Sequence, residues 1–281
     1  MKISCVIVSY NNGNLLEEAI MSVVRQTRRV DEIIVADDAS TDGSRQLINA
    51  LSQRYSNVKP IFREDNLGVS ANRDLAMREA HGDFITCLDG DDDFLPTKIE
   101  AEERALDQGR GVIAYSDVRW IDRRNNRVRV GVNADFSRLG ASDRVRWLLD
   151  KTKQSPAAML VPKDAYLRIG GYNHNLRTYE DWDYILRLAA QPLCWAHSGT
   201  EGLVAHPGGG LSNQGALEHM RDRLRVLRLN QEVVRRHVGL SLLLATVGNL
   251  VASGLKWWIV PWYWNTKGRL TQRFRGYRGS T

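Results

Sequence analysis

Five of the seven residues in Ile3-Ser4-Cys5-Val6-Ile7-Val8-Ser9 are apolar, and a polar turn, Asn11-Asn12-Gly13-Asn14, closes the run. Such a stretch predicts a buried strand. Apolar positions then recur with helical spacing at Leu15, Leu16, Ala19, Ile20, Val23 and Val24. The unit repeats: Glu32 to Ala36 reads as a strand, Ser44 to Leu51 as a helix, Val58 to Phe62 as a strand, and Ser70 to Glu79 as a helix capped by Ser70. Phe84 to Leu88 makes a fourth strand. Strands alternating with helices predict an α/β fold, a mostly parallel sheet with helices on both faces and ligands at the carboxyl ends of its strands. Beyond residue 100 the pattern weakens. Strands are expected at 112–115, 128–130 and 203–205, and helices at 144–149 and 182–189.

The loops at the strand ends are polar. They are Ser9-Tyr10-Asn11, then Asp37-Asp38-Ala39-Ser40-Thr41-Asp42, then Asp89-Gly90-Asp91-Asp92-Asp93, so three clusters converge on one rim. Four aspartates in five positions crowd like charges together, and a divalent cation, Mg²⁺ or Mn²⁺, relieves that repulsion. An acidic surface turn has the same composition. Asp37 and Asp42 are equally suited to capping the next helix, where a carboxylate stabilises the helix dipole.

In order along the chain stand Val8-Ser9-Tyr10-Asn11, Asp37 to Ser44, Asn66-Leu67-Gly68-Val69-Ser70-Ala71-Asn72-Arg73, Asp89-Gly90-Asp91-Asp92, and Gly170-Gly171-Tyr172 ahead of Glu180-Asp181. Each motif is weak alone. As an ordered set over roughly residues 1–215 the chain resembles a family 2 glycosyltransferase with the GT-A fold. That resemblance implies transfer of a sugar from a nucleotide-diphospho-sugar donor to an acceptor hydroxyl with inversion. It further implies a donor site containing Ser9, Tyr10, Asn11, Asp38, Asn66, Arg73 and Asp89. Asp38 falls where the family's aspartate accepts N3–H of uracil or thymine, which favours UDP or dTDP. Asp91 takes the metal position of the DxD motif, with Asp92 sharing the ion and His206 completing the metal or diphosphate site. Asp181 of the Glu-Asp motif becomes the general base, flanked by Glu180 and Trp182.

The residues allow other readings. Thr178-x-x-Asp181 has the form of a capping box. Arg73 suits a solvated helix face, a lone His206 is commonly structural, and the glycine-rich Pro207-Gly208-Gly209-Gly210 departs from the family pattern.

Charge divides the chain. Residues 1–100 hold 11 Lys and Arg against 17 Asp and Glu, residues 101–220 hold 16 against 14, and residues 221–281 hold 12 against 2. The basic end calls for an anionic partner. Residues 238–255 carry no charge, and Lys256, Trp257, Trp258, Trp262, Tyr263, Trp264, Lys267, Arg269, Arg273, Arg275 and Arg278 follow. Aromatics beside cations suit a membrane surface better than nucleic acid. An apolar run of that length is at the lower limit for a span, and a crossing would export the basic tail, so an in-plane or re-entrant anchor is expected. Closing the core, or a homodimer contact, are the other uses for the run. Three expected divisions follow: a nucleotide-sugar half over 1–110, an acceptor half over 111–220, and a helical anchor over 221–281.

Cys5, Cys87 and Cys194 lack any CxxC spacing, and with no signal-peptide pattern at Met1 a reducing cytosol is expected, on the cytoplasmic face of the inner membrane. A lipid-linked saccharide in surface polysaccharide assembly is the acceptor that fits such a location. A sugar nucleotidyltransferase would share the acidic α/β site, but Ser9-Tyr10-Asn11-Asn12-Gly13 has no cation for a phosphate loop. A dehydrogenase would show GxGxxG after the first strand, and none is present. The remaining alternative is a basic binding protein without catalysis.

Overall fold

Strand β1 (Ile3–Ser9) is buried at every position, as is β2 (Glu32–Asp37). A strand covered on both faces needs side chains that tolerate burial on both, which is why these segments read as continuous apolar runs. The computed structural model describes residues 1–107, 112–122, 125–131, 134–150, 154–206, 215–241 and 243–251. They fall into two compact units, Met1–Ser212 and Asn213–Thr281.

In the first unit, helix α1 (Leu15–Val24) follows β1, α2 (Ser44–Arg54) follows β2, and β3 (Val58–Phe62) leads to α3 (Val69–Glu79) and β4 (Phe84–Asp89). β3, β2, β1 and β4 are neighbours in that order and all parallel. The order requires a crossover between β3 and β4 that passes two strands, and α3 supplies it. Parallel pairing also puts the ends of β1, β2 and β4 on one edge, with Ser9 beside Asp37 and Val8 beside Asp89.

Past β4 the sheet is mixed. β5 (Asp93–Phe94) and α4 (Lys98–Ala105) come first, followed by β6 (Ile113–Asp122), β7 (Arg127–Gly131) and α5 (Ala141–Asp150). Then come β8 (Met159–Pro162), α6 (Lys163–Arg168), α7 (Glu180–Ala189) and β9 (Trp195–Ala205). β8 pairs antiparallel with β4 and with β6, β9 runs parallel to β6, and β5 and β7 add antiparallel pairs. The sheet is thus wholly parallel across its first four strands and mixed beyond them.

Three differences from the sequence pattern have physical reasons. β8 is four residues long, too short for any period to register. β9 begins eight residues before the expected 203–205, because its polar middle pairs across to β6, where His197 Nε2 lies 3.0 Å from Asp117 Oδ1. Ser70 does not cap α3. The helix starts one residue earlier behind Gly68, and the Ser70 hydroxyl donates instead to the carbonyl of Asn173 at 2.8 Å.

The core of this unit joins Ile3, Ile7, Leu16, Ile20, Ile33 and Val35 to Leu88, Phe94, Val118 and Leu160. A second apolar centre forms around Tyr115, Phe136, Trp147 and Trp195, whose rings meet edge to face at centroid distances of 5.1–6.1 Å.

The second unit carries α8 (Ala216–Leu229) and helical residues 231–241 and 243–251. Val226, Leu227, Val234 and Leu250 are buried, whereas Leu240 and Leu244 are 58% and 60% exposed. No helix among the described residues is long and apolar enough to cross a membrane. The aromatic and basic run 256–281 lies outside the described residues, as do 252–255, the glycine-rich 207–210, and the expected boundary near residue 110.

Candidate active site

The shared edge of β1, β2 and β4 opens into a cavity of about 800 Å³. Its lining includes Ser9, Tyr10, Asn11, Asp38, Asn66, Arg73, Asp89, Asp91 and Glu180, nine of the residues singled out from the sequence. Asn11, Asp38 and Asn66 are positioned by backbone groups. Asn11, at φ +53, accepts the Thr41 N–H at its Oδ1 and donates its own N–H to Ser40 Oγ, which ties the loop after β1 to the loop after β2. Asp38 is 3% exposed, and its two carboxylate oxygens accept the N–H groups of Leu67 (2.8 Å) and Gly68 (2.9 Å). Asn66 closes the same loop by donating to the Asp38 carbonyl at 3.2 Å. Gly90 is required here, since a Cβ would sit 2.8 Å from Asn12 Oδ1 and 3.0 Å from the Val8 carbonyl.

Asp42 does what a capping residue does. Its Oδ1 accepts the backbone N–H and hydroxyl of Ser44 at the head of α2, and its Oδ2 accepts the Gly13 N–H. Asp37 is fully buried, with Oδ1 accepting from Ser40 N–H and Arg45 Nε.

Arg73 occupies the centre. Its side chain is only 3% exposed, Nη1 lies 3.2 Å from Glu180 Oε1 and 3.1 Å from Asp181 Oδ1, and Nη2 donates to Asp89 Oδ1. The guanidinium rests over the Tyr172 ring, 5.1 Å from its centroid, and Tyr172 stacks on Tyr184 at 4.5 Å. One cation therefore holds three carboxylates drawn from α7 and the end of β4. Three acids around one base compete for its charge, which favours the neutral form of the most buried of them, Glu180. Burial and the neighbouring Asp181 push Glu180 well up, against the pull of Arg73. Burial also pushes Asp181 up, to about 6, with Arg73 opposing and Asp89 adding. The Asp181 side chain is 43% open to solvent, so water tempers the contribution of burial there. The capping-box form of Thr178-x-x-Asp181 is not what holds this acid, whose carboxylate meets Arg73; α7 starts behind Tyr179 with no side-chain cap.

The loop behind Tyr172 is fixed by Asp74. This buried acid accepts the Tyr172 N–H at 2.9 Å, the Tyr166 hydroxyl and Arg78 Nε, and faces His174 Nε2 at 2.8 Å. Gly171 has φ +73, and a Cβ there would lie 2.0 Å from Asp74 Oδ1. Asp74, His174 and Arg177 escaped the sequence reading, although the last two line the large cavity; the neighbouring Gly-Gly-Tyr and Glu-Asp motifs were the available signal.

The rest of the acidic block points elsewhere in part. Asp92 Oδ1 accepts the His206 N–H at 2.8 Å, and His206 places Nδ1 3.3 Å from the Ile121 carbonyl and Nε2 3.3 Å from Asp93 Oδ2. Burial and the like charges of Asp89, Asp91 and Asp93 drive Asp92 well above the usual carboxylate range, with the His206 N–H opposing. Among the described residues no three His, Cys, Asp or Glu side chains converge as a metal cage. Trp182 is turned inward on α7, its Nε1 donating to the Leu148 carbonyl at 2.9 Å.

A parallel half-sheet whose strand ends carry aspartates, continued by a mixed half that brings Glu180 to the same cavity and Asp181 to the Arg73 guanidinium, is the GT-A arrangement. The same fold is found in S. aureus TarS 1–349, with a TM-score of 0.68 at 20% identity over 90% of this chain and 72% of that one. It is matched equally in TarS 1–349 in complex with UDP-GlcNAc, at 0.68 and 18% identity over 92% and 72%. Residues 4–164 match the model of glycosyl transferase family 2, and the chain belongs to that family. Similar proteins include a cholesterol galactosyltransferase of Borreliella burgdorferi, 38% identical over 99 residues, 35% of this chain and 27% of that protein. A glycosyltransferase of Haemophilus influenzae is 31% identical over 128 residues, 46% of this chain and 51% of the relative. The chain thus spans about a quarter to a half of these relatives' lengths.

Proposed function

We propose that the protein transfers a sugar, with inversion, from a UDP- or dTDP-sugar to a hydroxyl of a saccharide acceptor. One observation carries this reading: Arg73 pairs with Asp89 on the rim of the donor cavity and with Asp181 on α7, so donor-side and acceptor-side acids meet at one guanidinium, Asp181 lining a smaller cavity that shares Glu180 with the large one. Asp181 takes the proton of the acceptor hydroxyl as the new bond from that oxygen to the anomeric carbon forms. The bond from that carbon to the diphosphate oxygen breaks on the opposite face, and the nucleoside diphosphate departs with its electron pair. Glu180, protonated beside it, leaves the negative charge of the pair on Asp181. Arg73 keeps the base aimed at the opening.

Ser9, Tyr10, Asn11 and Asn66 line the nucleotide end of the cavity with Asp38. Each Asp38 oxygen retains a lone pair after meeting Leu67 and Gly68, which suits acceptance of N3–H from uracil or thymine. Support for a uridine donor comes from TarS, whose structures include complexes with UDP and UDP-GlcNAc.

The residues fit a divalent ion in a particular way. Hard carboxylate oxygens suit Mg²⁺ or Mn²⁺, and these ions commonly take one or two carboxylates while substrate phosphates complete the shell. Burial first, and then the like charges of Asp89, Asp91 and Asp93, disfavour the ionised form of Asp92, a cost that a bound cation would offset. Asp91 and Asp92 would hold the ion, with His206 bracing Asp92 through its backbone N–H. When bound, such an ion neutralises charge developing on the departing diphosphate.

The halves 1–110 and 111–220 serve donor and acceptor in this scheme, and the basic, aromatic tail from 221 to 281 places the enzyme on the cytoplasmic face of a membrane, beside lipid-linked saccharides. The test is Asp181→Asn. Turnover is expected to fall by about 10²–10⁴ while the Kd for UDP, measured by calorimetry, stays within twofold. An Asn variant as active as the parent rejects the base assignment.

A further inference from the structure

Gln154, between α5 and a short 3-10 turn at Pro156–Ala158, is 8% exposed, yet neither its Nε2 nor its Oε1 has a hydrogen-bond partner among the described residues. A buried primary amide with both ends unmet carries a desolvation cost that nothing in the fold returns. It lines a second cavity, of about 250 Å³, together with Tyr179, Glu180, Asp181 and Trp182. Glu180 lines the large cavity as well.

Two further features mark the small cavity as a place for a ligand. Tyr179 is a non-glycine residue held at φ +58, and strain of that kind persists where surrounding structure enforces it, commonly at functional sites. Its ring also stands edge-on to Trp182, 6.3 Å between centroids. The cavity is therefore walled by aromatic and aliphatic surface with an amide and a carboxylate at its polar end. Its volume falls just under the roughly 300–1,000 Å³ of drug-sized ligand sites, which suits a single sugar ring.

We propose that this cavity is the acceptor-sugar subsite and that Gln154 recognises a pair of hydroxyls on the ring whose reacting hydroxyl faces Asp181. A hydroxyl both donates and accepts, so two on one ring satisfy the amide N–H and the amide oxygen together. Its location beside Asp181 gives the cavity this meaning, so the proposal rests on the base assignment above. Asp181 takes the proton; Gln154 only binds.

Binding tests the subsite separately from turnover. The full chain, with UDP and Mn²⁺ present, is titrated with methyl α- and β-glycosides of glucose, galactose and N-acetylglucosamine, and Kd is followed by saturation-transfer NMR. Gln154→Met, similar in length and shape, is expected to weaken the bound glycosides at least tenfold and to leave the Kd for UDP unchanged. Gln154→Glu, which keeps the shape and loses the amide donors, is the second variant should methionine disturb folding, and it too is expected to weaken the glycosides. Wild-type protein that binds none of the six glycosides, or a variant with normal UDP affinity that binds them as the parent does, overturns the proposal. A fully active Asp181→Asn would sink the base assignment while leaving these affinities to stand or fall alone.

Discussion

Arg73 is a buried cation whose stability depends on keeping all of its partners. Replacing it by methionine leaves Asp89, Glu180 and Asp181 beside one another without their shared counter-charge, at a cost that water tempers at Asp89 and Asp181 and not at the more buried Glu180. Arg73→Met should therefore lower the midpoint of thermal unfolding clearly, and a midpoint unchanged at pH 7 would show that the three acids relax without their cation. In the proposed mechanism the same cluster sets the working pH. Asp181 acts as base only when ionised, and burial, opposed by Arg73 and aided by Asp89, holds its folded-state value near about 6. The rate of transfer is expected to fall as pH drops through about 6 and to level off above it. A profile of kcat/KM from pH 5 to 8.5 checks this, and a rate flat down to pH 5 contradicts it.

At the level of elements, the loop ahead of α7 is held by its glycines for different reasons. Gly170 and Gly171 both have positive φ, but a Cβ at Gly170 meets nothing within 4 Å, whereas one at Gly171 collides with Asp74 Oδ1. Alanine at 170 pays only for the left-handed conformation, about 1–2 kcal/mol; alanine at 171 adds displacement of the acid that holds Tyr172. Gly171→Ala should thus lose more stability in urea than Gly170→Ala and, by releasing Tyr172 from beneath Arg73, more activity as well. Equal losses would place the effect in backbone strain alone. These elements also show what a sequence can reveal. β1 and β2 are visible as apolar runs because both of their faces are covered. β8 is not, and the polar half of β9 is not, since pairing partners rather than period decide them. The rim carboxylates stand out through their order along the chain. Arg73 is legible only through its motif, because a polar residue within α3 looks solvated until α7 is packed against its guanidinium, and Gln154 belongs to no motif at all.

Considered whole, the molecule joins an acidic catalytic unit to a basic end. The membrane attachment proposed for that end is tested by removing it. Removal of residues 238–281 is expected to move the protein from the sedimenting membrane fraction to the supernatant after cell lysis, and unchanged partitioning would refute the anchor. The ion pair between Arg73 and Asp181 spans 108 positions of sequence. Domains fold from the amino-terminal end during synthesis, so the parallel strands can assemble on the ribosome well before α7 has been translated. A nascent chain at that stage has Asp89 as the one partner of its arginine and lacks Glu180 and the proposed base, Asp181. A chain that ends before residue 181 is therefore expected to show no sugar transfer.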